Sequence, residues 1–152
     1  MPLKKSYVSL PAGITISAPT HLTAVKALLA ECRLPTDDIR DDAIFIAATS
    51  GSELCGTAGL EPFAAVALVR SVAVHPAWRG RGIAHALCDD IVRRARAMGV
   101  RRLFLLTTDA QAFFRRIGFA AVERDSLPPE IRATAQFREL CPASATAMAR
   151  DV

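Results

Sequence analysis

The sequence predicts a single α/β domain, a central sheet with helices on both faces. Three observations predict it. The 152 residues suit one domain of ordinary size. Hydrophobic residues make up 51% of the chain and charged residues 22%, enough for a packed core without a disulfide scaffold. Apolar runs of strand length alternate with stretches of helical period, in the order β-α-β-β-β-α-β-α-β with a late helical insertion and a closing strand.

Residues 1–12 are expected to be a loosely packed N-terminal segment. Residues 13–17 read as a short first strand. Pro19 and Thr20 open a helix whose apolar face is Leu22, Val25, Leu28 and Leu29, and Pro35 closes that region. Residues 36–42 are acidic and read as a short helix or loop. Residues 43–49 and 53–60 form two strands around a Ser50-Gly51 turn, a hairpin. Gly56 and Gly59 inside the second strand predict bulges or close backbone approach. Residues 64–74 form a long apolar strand, followed by a basic turn at 75–81.

A helix starts near Gly82. Ile83, Leu87, Ile91 and Ala95 repeat every four residues, Met98 lies close to that stripe, and Gly99 stops it. Residues 102–107 are an apolar strand covered on both faces. Residues 109–117 form a short helix ended by Gly118, and 119–122 begin another strand. Residues 128–140 look helical, within an insertion spanning 125–144, and 144–149 close the sheet.

Several function classes are excluded early. No apolar run approaches the ~20 residues of a membrane span. Pro11 and Gly13 interrupt the run that a leader would need after Lys4 and Lys5, so a cytoplasmic location is expected. Cys32, Cys55, Cys88 and Cys141 are widely spaced, without a CxxC or a His-Cys cluster. Reduced thiols and no metal site are expected. The net charge is +4, concentrated between residues 79 and 116, where nine Arg face three Asp. That +6 stretch suits an anionic ligand. Few aromatic residues lie in it, and no nucleic-acid motif is present, so a nucleic-acid partner is not expected.

The chemistry centres on Val72-Ala73-Val74-His75-Pro76-Ala77-Trp78-Arg79-Gly80-Arg81-Gly82-Ile83-Ala84. A strand runs into a Gly-rich basic turn that opens a helix. The first amides of a helix lack internal partners and carry the positive end of its dipole. Gly80 and Gly82 allow backbone approach to a bulky anion. The result is a cradle for a pyrophosphate. It is neither a Walker turn, which needs Gly-Lys-Ser/Thr, nor a dinucleotide fingerprint, because the last small residue falls one position early.

The Arg79-x-x-Gly82-x-Ala84 pattern after a V-x-V-x-P strand end resembles the acetyl-CoA turn of the GNAT family of N-acetyltransferases. Ala112-Phe113-Phe114-Arg115-Arg116-Ile117-Gly118-Phe119 resembles that family's later helix with its Gly-Phe end. The likeness covers roughly residues 43–122. Residues 103–119 resemble the acetyltransferase domain of N-acetylglutamate synthases. The tail from Leu127-Pro128 through Ser144 is similar to small acetyltransferases encoded with arsenic-resistance genes.

The resemblance implies a mixed, mostly antiparallel sheet with a splayed strand pair at the acetyl-CoA site. It implies that Val72, Ala73 and Val74 hold the pantetheine arm, and that Arg79, Gly80, Arg81, Gly82, Ile83 and Ala84 hold the pyrophosphate. Phe114 and Arg115 complete the cofactor set. Many members carry a Tyr at Phe114 to protonate the leaving thiolate; its absence leaves water, Ser71, Thr107 or Thr108 as donors.

Arg70 shares strand parity with Leu68, Val72 and Val74 and so points into an apolar face. A buried Arg needs an anionic partner. One reading pairs it with Glu61, and another has it capture an acceptor carboxylate, with Glu61 as the base for the amine. Thr108 or Asp109 either caps the 110–117 helix or, for Thr108, meets substrate. Arg132 and Gln136, four apart, either form a solvated face or close over a carboxylate. Cys141 before Pro142 invites an arsenic ligand but lacks partner thiols. His75 is assigned to the turn and His85 to the helix surface.

The leading function is acetyl transfer from acetyl-CoA to a small amino-acid-like amine, directly within a ternary complex, with a homodimer as a further expectation. The alternatives are acetylation of a protein N-terminus or lysine, and a non-catalytic acetyl-CoA sensor.

Overall fold

Period-two strands and four-residue helical stripes assemble around one mixed sheet. The computed structural model describes residues 10–39, 43–140 and 143–152. Among them seven strands follow the order β1-β2-β3-β4-β5-β7-β6. They are β1 (Ile14–Ser17), β2 (Ile44–Ser50), β3 (Glu53–Phe63), β4 (Val66–Val74), β5 (Arg102–Thr107), β6 (Ala120–Val122) and β7 (Thr146–Asp151). Every neighbouring pair is antiparallel except β4 and β5, which run parallel. The expected fold class, a mixed sheet with helices on both faces, is the one found.

Helix α1 spans Leu22–Glu31 and α2 spans Ile83–Ala97. Helix α3 spans Gln111–Arg116 and α4 spans Pro129–Arg132. The stripe Ile83, Leu87, Ile91 and Ala95 is buried against Ile46, Leu60, Val69, Leu103 and Met148. Each large side chain there contributes roughly 1.5–3 kcal/mol of burial. On the opposite face α1 sets Val25 and Leu29 against Phe45 and Ala73, and α4 sets Ile131 against Leu68 and Phe104. No helix among the described residues is long and apolar enough to cross a membrane.

Several boundaries differ from the sequence reading. Leu22 and Met98 are exposed rather than on the buried stripes. The strand expected from residue 64 begins at Val66, because β3 continues to Phe63 and Ala64 takes a left-handed turn (φ 57°). No glycine or asparagine announced that turn. The helix expected over 128–140 breaks. The Thr134 hydroxyl donates to the Ile131 carbonyl (2.7 Å) and accepts from the Phe137 amide (3.3 Å), ending α4 before a π-helical turn at Gln136–Leu140. The expectations for residues 1–9, 40–42 and Cys141 lie outside the described residues.

Two departures from regular pairing build the site. In the first, Thr57 pairs with Ala73 but Gly59 pairs with Arg70, so Ser71 and Val72 together oppose Ala58. This is a β-bulge, and Ser71 within it has φ 57°. Gly59 is where the backbone must come close. A Cβ there would lie 2.9 Å from Phe45 Cε1 and 3.2 Å from both Cγ and O of Arg70. In the second, β4 and β5 pair only at Val66–Arg102, Ala67–Leu103 and Leu68–Phe104. Beyond Leu68 they diverge, and the β4 edge is left open.

Candidate active site

The gap between β4 and β5 opens into a cavity of about 960 Å³. Its walls are β4 from Val69 to Val74, the end of β5 with Thr107 and Thr108, the start of α2, and the segment after α1 from Cys32 to Pro35. At one end Gly82 caps α2 with φ 80°, and Gly80 has φ 79°. No side chain caps α2 and no acid occupies its first turn. Its outward amides are therefore available to an anion, over a turn that glycine alone adopts without strain. Arg79, Arg116 and Arg33 add positive charge to the walls.

The bulge corrects the parity argument for Arg70. Before it, Ala67 and Val69 pack toward α2 while Leu68 packs toward α4. After it, Val72 and Val74 pack toward the α2 side and Ala73 toward α1. Arg70 thus shares a face with Leu68 and Ala73, not with Val72 and Val74.

Arg70 is 3% exposed. Its Nη1 donates to Asp38 Oδ2 and to Glu61 Oε1 (2.7 Å), its Nη2 to Asp38 Oδ1 (2.7 Å) and the Pro35 carbonyl (3.4 Å), and its Nε to Ser71 Oγ (2.9 Å). The expected pairing with Glu61 exists, joined by Asp38. Burial alone would lower the guanidinium pKa, but the bonds and charges of Asp38 and Glu61 outweigh it and hold the group above its ordinary value. A guanidinium has five N–H donors, and all of them have partners here. Glu61 is itself buried and does not line the cavity.

Most of the other sequence candidates gather in one place. Ser71, Val72, Ala73, Val74, Arg79, Gly80, Gly82, Ile83, Ala84, Thr107, Thr108, Phe114 and Gln136 all line the cavity. Arg81 does not; its guanidinium stacks 4.8 Å from the Trp78 ring. Arg115 faces solvent, and its neighbour Arg116 is on the wall instead. Arg132 is exposed and off the wall, because the break at Thr134 takes it out of phase with Gln136. Neither Thr108 nor Asp109 caps α3. The Thr107 hydroxyl accepts from the Ala110 amide (3.1 Å) just ahead of α3, and no side chain caps the helix itself. His75 Nδ1 accepts from the Ala77 amide (3.1 Å), as the turn assignment expects, and His85 is on the surface of α2, 3.8 Å from Asp89, where it also borders the cavity.

Sequence reasoning missed Cys32, Arg33 and Asp38. All three follow α1, far from the motif, and no spacing signal links them to it. Arg33 has φ 58° at the helix end, a strained position for a residue with a side chain. Cys32 Sγ lies 3.8 Å from Arg79 Nη2, and Arg79 Nε donates to the Val74 carbonyl (3.1 Å). Cys88, by contrast, is buried in the core, and burial pushes its thiol up to about 12. At mildly alkaline pH, iodoacetamide is therefore expected to label Cys32 and spare Cys88. Added CoA should protect Cys32, as read by peptide mass spectrometry.

Residues 17–119 match the model of the acetyltransferase (GNAT) family. An amino-acid acetyltransferase of Mycobacterium tuberculosis is 38% identical over 73 residues, 48% of this chain and 38% of that protein. An amino-acid acetyltransferase of Aeromonas salmonicida is 39% identical over 66 residues, 43% of this chain and 15% of that one. The chain thus spans well under half the length of these curated relatives. Among solved structures, the N-acetylglutamate synthase of Neisseria gonorrhoeae, complexed with coenzyme A and N-acetyl-glutamate, superposes with a TM-score of 0.76. Identity is 24%, over 93% of this chain and 35% of that one. A Mycobacterium tuberculosis protein in complex with CoA superposes with a TM-score of 0.72 at 22% identity, over 91% of this chain and 99% of that one. The family match spans most of the chain and contains the bulge, the open β4 edge and the uncapped α2 turn: this chain belongs to the GNAT acetyltransferase family.

Proposed function

We propose that the chain transfers the acetyl group of acetyl-CoA directly to the amine of a small amino-acid-like acceptor, within a ternary complex. The observation that carries this reading is the single cavity joining the open β4 edge to the uncapped start of α2. An extended amide-bearing arm fits along the edge, and a pyrophosphate fits at the helix start. Acetyl-CoA supplies an activated acetyl group as a thioester. Val72, Ala73 and Val74 offer backbone groups to the arm. Gly80, Gly82, Ile83 and Ala84 offer amides to the phosphates, with Arg79 released from the Val74 carbonyl and turned toward them. Phe114 closes the cavity wall with apolar surface.

A small acceptor is favoured because Gln136 and Ala145, from the late insertion and the start of the last strand, line the cavity and restrict it. The relatives named amino-acid acetyltransferases support the same class. Arg70 has no donor left for an acceptor carboxylate. Arg33, on the wall and without a side-chain partner among the described residues, suits that anion better. Glu61 acts on the site through Arg70 rather than as a base in contact with the amine. Thr108 and Gln136 remain on the acceptor side.

The test is acetyl-CoA-dependent thiol release with a panel of amines. It includes glutamate, other α-amino acids, phosphorus and arsenic analogues of glutamate, polyamines and a lysine peptide. Release with an α-amino acid carrying a second anion is expected. Release with the lysine peptide alone would overturn the acceptor class. Binding of CoA without any release would favour a sensor, the reading to which the hydroxyl-free Phe114 lends weight.

A further inference from the structure

We propose that Ser71 donates its hydroxyl hydrogen to the carbonyl oxygen of the bound thioester, and that Asp38 and Arg70 are the positioning pair that aims it. The inference rests on the acetyl-transfer reading of the cavity.

Four observations lead to it. Ser71 sits in the bulge with φ 57°, a conformation that costs a residue with a Cβ of order 1–3 kcal/mol and that glycine would adopt freely. Ser71 lines the cavity at the open β4 edge, although the residue is only 8% exposed. Its Oγ accepts from Arg70 Nε at 2.9 Å. Its own hydrogen has no acceptor among the described residues. A hydroxyl oxygen that accepts from a cation must turn its hydrogen away from that cation. Here the open direction is the cavity.

The guanidinium is held too firmly to follow the serine. It is planar, and Asp38 takes both Nη atoms while Glu61 takes Nη1 again. With those positions tied, the Nε–H has one direction left. A hydrogen bond from an ionised donor polarises the hydroxyl and makes its O–H a stronger donor in turn. When an amine adds to a thioester, the carbonyl oxygen gains negative charge. A donor already aimed at that oxygen lowers the barrier without reorganising. Ser71 keeps its proton throughout, so no proton has to be returned to it.

The experiment is difference infrared spectroscopy of acetyl-CoA labelled with carbon-13 at the thioester carbonyl and bound at saturation. It needs no acceptor. In the wild type the carbonyl stretch is expected below that of free acetyl-CoA. Ser71→Ala should move it back toward the free value. Ser71→Gly should do the same while relieving the backbone, which separates the effect from misfolding. Asp38→Asn should move it partway, and the Ser71→Ala, Asp38→Asn double variant no further than Ser71→Ala alone. An identical band in the wild type and both Ser71 variants would overturn the role of Ser71. An additive shift in the double variant would overturn the positioning pair. Trp78, the chain's single tryptophan, lines the cavity and reports binding by fluorescence. If acetyl-CoA leaves wild-type fluorescence and calorimetry unchanged, the acetyl-transfer reading itself fails, and the inference with it. With an acceptor in hand, Ser71→Ala should lower kcat by about 100- to 1,000-fold with little change in the KM for acetyl-CoA.

Discussion

Arg70→Ala is expected to destabilise the fold by about 3–5 kcal/mol, a large share of the stability of a domain this size. The side chain is fully buried and balances two carboxylates, those of Asp38 and Glu61. Truncation leaves both in a dry site with no cation. Urea denaturation measures the loss. A companion variant decides whether the charges are responsible. Arg70→Ala combined with Asp38→Asn and Glu61→Gln should recover part of the stability, because neutral amides are less costly to bury than orphaned carboxylates. If the triple variant is no more stable than Arg70→Ala, lost packing of the Arg stem against Gly59 and its surroundings is the cause instead. A change confined to the acceptor KM, with stability intact, would contradict the network described above.

Gly82→Glu is expected to weaken acetyl-CoA binding on the order of 100-fold, equivalent to about 3 kcal/mol. Two terms contribute. The left-handed backbone at φ 80° costs a residue with a Cβ roughly 1–2 kcal/mol. The added carboxylate then opposes a pyrophosphate where the helix dipole would otherwise attract it. Calorimetry with CoA reads the loss directly. Arg115→Ala is the control: its side chain faces solvent off the cavity wall, so affinity should change less than about two-fold. Equal losses in the two variants would point to a diffuse basic field rather than a cradle at Gly82.

The difference between these two positions also explains how much of the molecule could be read from its sequence. Gly82 and its neighbours were legible because a strand, a glycine turn and a helix start are consecutive in the chain. Their geometry is local. The stripe Ile83, Leu87, Ile91 and Ala95 was legible for the same reason, since a buried helix face repeats every four residues. Arg70 was legible only in part. Its burial followed from strand parity, but the bulge at Ser71 reverses that parity, and a bulge leaves little mark when its left-handed residue is serine rather than glycine. Asp38 and Arg33 were not legible at all. They reach the site across 30 or more positions of chain, through the packing of α1 on the sheet, and nothing in their own neighbourhood records the contact. Arg115 and Arg116 show the limit at finer scale: both are exposed, and a six-residue helix has too few turns for periodicity to say which arginine borders the cavity. The break at Thr134 belongs with them, because a threonine that bends a helix has the same letter as one that does not.

The divergence of β4 from β5 has a consequence for the whole chain. Here two interior strands part in the middle of the sheet, and the β4 edge from Val69 onward faces the cavity instead of a neighbouring strand. A molecule that lies along it finishes the sheet from within and touches both halves of the domain at once. Binding free energy of that kind is also folding free energy: at a ligand concentration 100 times Kd it adds about 2.7 kcal/mol to the native state. Under the proposed function coenzyme A is that molecule, and the melting temperature is expected to rise with its concentration, as read by thermal denaturation.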